Sequence, residues 1–109
     1  MIRTHEIKLN KEYCDSVLYG DKKFEVRYND RGYQTGDGIK FKPVDKFGEI
    51  NHPIADKLYR ITYIHSGMGL EKDWVVFAIE DVGFEPPKQN MARLFKSQRD
   101  TEGLEILKN

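Results

Sequence analysis

Gly20-Asp21-Lys22-Lys23-Phe24-Glu25-Val26-Arg27-Tyr28 is the stretch on which the reading of this chain turns. From Lys23 onward it alternates. Phe24, Val26 and Tyr28 fall on one side, and Lys23, Glu25 and Arg27 on the other. That is the period-2 pattern of a half-buried strand. The expectation is that the apolar row enters the core and the polar row meets water. Just before it, Gly20 reads as the C-cap of a helix from Lys11 to Tyr19. Asn10 is its N-cap, and Tyr13, Cys14, Val17 and Leu18 cluster at helical spacing. Glu25 and Arg27 project from one strand face roughly 7 Å apart, and Lys22 stands where the strand begins. Three polar groups can thus converge beside a helix end. The cations suit phosphate. The carboxylate can accept hydrogen bonds from base amino groups or move protons. The plainer reading of the same residues is a solvated strand face.

Other strands flank this one. His5-Glu6-Ile7-Lys8-Leu9 alternates, with Ile7 and Leu9 on one face. Asn29-Asp30-Arg31-Gly32 is a turn by composition. Gly36-Asp37 opens a strand from Gly38 to Lys42, with Ile39 and Phe41 inward. Pro43 to Ala55 reads as a hairpin-like connection. Leu58 to Ile64 sets Tyr59, Ile61 and Tyr63 against Arg60 and Thr62. Trp74 to Ile79 is apolar on both faces and is expected to be a central strand buried on both sides. The order predicts a small α+β domain over residues 1–84, with a curled, largely antiparallel sheet of about five strands and a short helix after the first. Glu85-Pro86-Pro87 reads as a stop. The tail, residues 85–109, carries Met91, Leu94 and Phe95 at the spacing of a short amphipathic helix.

Composition narrows the function classes. The 109 residues allow one domain. Eighteen basic and eighteen acidic residues cancel, so any nucleic-acid surface must be local. One cysteine excludes an internal disulfide framework and a multi-cysteine zinc site. No two histidines have metal-ligand spacing, and no cofactor or metal is expected. The longest apolar run is far short of the ~20 residues of a membrane helix, and the N-terminus lacks a signal-peptide core. The expectation is a cytoplasmic protein with no membrane partner.

Gly20-x-Lys22-x-x-Glu25-x-Arg27 resembles the signature of the ASCH superfamily, the activating-signal-cointegrator homology domains of PUA-like fold. His5-Glu6-Ile7-Lys8, Asn29-Asp30-Arg31, Gly36-Asp37 and Arg60-Ile61-Thr62-Tyr63-Ile64 extend it in order over residues 2 to 80. The set is similar to a bacterial and phage subgroup with no assigned function. The resemblance implies a PUA-like β pseudo-barrel, with a cleft beside the first helix that holds RNA or a modified nucleotide. Lys22, Glu25 and Arg27 would line it. Some small bacterial members are amidohydrolases on acylated cytidine, in which a Lys at the position of Lys22 works with a Thr at the position of Glu25 and a later Glu. This chain has Glu25 for the Thr and no later Glu that can be placed. Ribonuclease activity is also attributed to some members.

Three functions follow as expectations. The first is a noncatalytic binding module, with Lys22 and Arg27 on phosphate and Glu25 on a base edge. Arg31 would reach the cleft rim. His5, on the face of Ile7 and Leu9, is either a cap on the core edge or a cleft acid-base group. The second is a small hydrolase with Lys22 and Glu25 as catalytic residues. The third is a phage or host interaction module working through the tail. Cys14 is expected to be a buried small hydrophobe. Tyr28, Tyr33 and Trp74 are the aromatics to examine for base stacking.

Overall fold

A computed structural model gives the fold, and the structure describes residues 2–84. The expected tail helix and the rest of residues 85–109 lie outside the described residues. The chain forms β1 (Thr4–Asn10), α1 (Lys11–Leu18), β2 (Phe24–Tyr28), β3 (Gly38–Asp45), a two-residue β4 (Gly48–Glu49), a 3-10 helix (Pro53–Asp56), β5 (Lys57–Ser66) and β6 (Trp74–Phe84). One curled sheet runs in the order β1-β3-β5-β6-β2, with β4 added beside β3. Only β1 and β3 pair in parallel. The sheet is a half-barrel with one short helix after its first strand. β1 and β2 are its two ends.

Register builds the core. His5 lies beside Ile39 and Ile7 beside Phe41. These residues are buried, while their neighbours Thr4, Glu6 and Lys8 are exposed. Across the interior, Tyr59, Ile61, Val75, Phe77 and Ile79 complete the cluster, and Cys14 and Val17 of α1 close one end. Tyr13 faces outward instead of joining them. The Asn10 side chain makes no cap hydrogen bond. The C-terminus is better specified. Gly20 N–H donates to Val17 O and Asp21 N–H to Ser16 O, with Gly20 at φ +85°. This is a Schellman closure, and the left-handed conformation it needs favours glycine.

β2 overturns the expected assignment of faces. Its antiparallel register sets Glu25 opposite Phe77 and Arg27 opposite Val75. Directly opposed residues share a face, so the polar row enters the barrel. Glu25 is 3% exposed, whereas Phe24, Val26 and Tyr28 are 43%, 49% and 50% exposed. The apolar row continues the outer face of Trp74, Val76 and Ala78. β6 itself is buried on one face only, at Val75, Phe77 and Ile79, because no second layer covers the other among the described residues.

Two further expectations are corrected. The strand begun at Gly38 runs through Pro43 to Asp45 rather than stopping. Pro43 pairs with Leu9, and its missing N–H faces away from β1. On that side lies β4, where the Pro43 carbonyl still accepts from Ile50 N–H, so the proline forgoes only the return bond at the open end of this short pairing and none toward β1. In β5, Tyr59 and Ile61 are buried, but a register shift between Ile61 and Tyr63 turns Tyr63 out to solvent.

Candidate functional site

The free edges of β1 and β2 are left unjoined by the sheet order, and a cleft of about 920 Å³ opens between them. Its walls come from β1, the start of α1, β2 and the residues flanking it, the second half of β3 and the start of β6. Lys22, Glu25, Arg27 and Arg31 are all on these walls.

Glu25 organises the floor. Its Oε2 accepts from Lys22 Nζ at 2.6 Å. Its Oε1 accepts from Arg27 Nε at 3.1 Å and Nη2 at 2.8 Å. Lys22 also donates to Phe24 O at 2.7 Å and sits 5.0 Å from the Phe24 ring centre and 5.3 Å from that of Tyr13. Arg27 Nη2 reaches across the cleft to Lys8 O at 2.6 Å, tying β2 to β1. The Schellman turn aims Lys22, whose N–H also bonds Ser16 O. Donor arithmetic leaves one N–H on Lys22 and the Nη1 pair on Arg27 for a ligand. Glu25 keeps a lone pair on Oε2, but its burial makes it chiefly an anchor for two cations.

Arg31 lies at the rim, exposed, with its carbonyl accepting from Arg3 Nη2 at 3.1 Å. His5 is elsewhere. It is not on the cleft wall. Its Nε2 meets Asp37 Oδ2 at 2.8 Å, and its ring lies edge-on to Tyr33 at 4.8 Å. Asp37 also accepts from the N–H groups of Gln34 and Arg3. Burial pushes the Asp37 carboxyl up, but these hydrogen bonds outweigh it and hold it below the ordinary aspartate value. Tyr33 reaches the cleft and packs on Phe77, and burial raises its phenol. Cys14 is fully buried, and burial, then Asp15, raises its thiol.

The wall also holds two lysines that the sequence does not single out, together with two of the aromatics that it does. Lys8 and Lys42 are register partners on β1 and β3, and both line the cleft. They read as solvated strand positions because alternation marks only which residues leave the core. Tyr28 and Trp74, register partners, meet edge-to-face at 5.9 Å on the wall. Among the described residues, no group of three or more His, Cys, Asp or Glu side chains could hold a metal ion. No described helix is long and apolar enough to cross a membrane.

A curled half-barrel with an ion-paired cleft at its open seam is thus the class that fold and site define. Residues 4–79 match the family described as "Domain of unknown function (DUF3850)", and the chain belongs to that family. A stretch of 39 residues is 49% identical to the "Uncharacterized 12.9 kDa protein in GpA 3'region" of Escherichia phage P2. The match spans 36% of this chain and 36% of that one.

Proposed function

We propose that this is a binding module of ASCH type and PUA-like fold that holds RNA or a modified nucleotide in the seam cleft. The observation that carries the reading is the convergence of Lys22, Glu25 and Arg27 at 2.6–2.8 Å on the floor of an open cleft. A buried carboxylate fixes two cations whose remaining N–H donors suit a phosphate oxygen. The signature residues of the ASCH resemblance are those that meet there. The hydrolase alternative draws less support from the same geometry. Both oxygens of Glu25 are ion-paired and Lys22 donates to two acceptors, so neither group is poised to move a proton.

The test is equilibrium titration of the protein with nucleoside monophosphates and with RNA oligonucleotides. Binding of either is expected, weakening as salt rises. Lys22→Ala should reduce it by about tenfold, the scale of one charge-assisted contact. Lys46→Ala, in the exposed turn between β3 and β4, should leave it unchanged. Equal losses from the two variants would point to diffuse charge. No binding of any nucleotide ligand would overturn the proposal. Hydrolysis of acylated cytidine or RNA that disappears in both Lys22→Ala and Glu25→Gln, with the fold intact, would promote the enzyme reading.

A further inference from the structure

The signature cations fill only the floor of the cleft. Two further cations on its walls, Lys8 on β1 and Arg31 after β2, have no side-chain hydrogen bond or ion pair among the described residues. The cleft follows β2 along its length, about 13 Å from Phe24 to Tyr28. Its volume of about 920 Å³ lies near the top of the ~300–1,000 Å³ range of small-ligand sites. At the far end from Lys22, the Tyr28–Trp74 pair offers aromatic surface, with Tyr28 half exposed. Cations spaced along one groove, with an aromatic pair at its far end, suit a strand of phosphates and bases better than one nucleotide.

The free strand edges also invite a peptide, and the structure argues against it. Ile79 N–H donates to Lys23 O, and Asn29 N–H to Asp73 O. Odd-numbered residues of β2 therefore turn their backbone to β6, and Phe24, Val26 and Tyr28 turn theirs to the cleft. Two of those three outward carbonyls are already taken, Phe24 O by Lys22 and Tyr28 O by the Asp30 N–H. On the opposite edge, Lys8 O is taken by Arg27. A continuous β ladder cannot form there without displacing all three.

We infer that the cleft takes single-stranded nucleic acid several nucleotides long, with one phosphate at Lys22 and Arg27, others at Lys8 and Arg31, and a base against Tyr28 and Trp74. This rests on the nucleotide-binding reading above and adds the length of the ligand and its wall contacts. Trp74 is the sole tryptophan, so its fluorescence reports the contact directly.

The experiment titrates the full chain with decauridylate, its deoxy counterpart decathymidylate, uridine monophosphate and an acidic decapeptide. Trp74 quenching and the anisotropy of fluorescein-labelled ligand are followed together. A decamer should quench Trp74 and bind at least tenfold more tightly than the mononucleotide. The ribo and deoxy arms separate RNA from DNA, and preference for either supports the inference. Contacts at Lys8 and Arg31 should each contribute about 0.7 to the salt slope, lost in Lys8→Ala and Arg31→Ala. Tyr28→Ala should weaken the decamer by about 5- to 150-fold, the range for one stacked base. Tyr28 is half exposed, so this variant should fold, and Tyr28→Phe should restore binding. Equal affinity for mononucleotide and decamer, with Lys8→Ala and Arg31→Ala silent, would overturn the inference and leave the nucleotide-binding reading standing. Binding of the acidic peptide alone would overturn both.

Discussion

Glu25 and Phe24 are neighbours whose roles are the reverse of what their chemistry suggests. Hydrophobicity assigns Phe24 to the core and Glu25 to water. In the fold Phe24 is 43% exposed and Glu25 3%. Removing the Glu25 charge leaves Lys22 and Arg27 partly buried without their counter-ion, which is costlier than trimming a half-exposed ring. Glu25→Gln is expected to cost about 2–4 kcal/mol, and Phe24→Ala about 1 kcal/mol. Urea unfolding of both variants, with unchanged m-values, checks this. A larger loss from Phe24→Ala would restore the assignment that alternation alone suggests.

At the scale of elements, the two polar pins act on different junctions. The Glu25 cluster joins β2 to β1 through Arg27 and Lys8 O. The Asp37 cluster joins β1 to the turn that opens β3, through His5, Gln34 and the Arg3 N–H. The Asp37 carboxyl is depressed in the folded state. Its contribution is therefore complete above the ordinary aspartate value of about 3.9 and is lost as pH falls through the lower folded value. Asp37→Asn should cost about 2 kcal/mol at pH 7. The gap from the native protein should close as pH drops below about 4. The depressed Asp81, held by Lys57, is present in both proteins and cancels in the difference. A gap that stayed constant to pH 2 would show that Asp37 acts by shape rather than charge.

At the scale of the whole molecule, the sheet order leaves a seam that backbone pairing does not close, and Arg27 spans it. Its fork bonds a carboxylate on one side and a carbonyl on the other, a geometry that lysine cannot reproduce. Arg27→Lys should keep the β1–β3 and β5–β6 pairings while speeding amide exchange in β2 and the first half of β6. Hydrogen exchange resolved by residue measures this. Uniform acceleration over all strands would mean that Arg27 supports global stability and not the seam.

The sequence by itself determined much of this protein. Local pattern located β1, α1 and the strands around it, since alternation and helical spacing are properties of the backbone period. Gly20 marked the helix end, because only a residue tolerant of positive φ closes a Schellman turn cheaply. The spacing of Lys22, Glu25 and Arg27 brought those three into consideration together. Tertiary structure alone decided which way they point. A period of two separates two faces but carries no sign, and the usual sign comes from assuming that the apolar face is inside. The pairing of Glu25 with Phe77 across β2 and β6 set that sign the other way. It could do so because the interior at that end is an open cleft, where Lys22 and Arg27 neutralise the carboxylate. The same pairing brought Tyr28 against Trp74, 46 residues away in sequence and adjacent only once the sheet has formed.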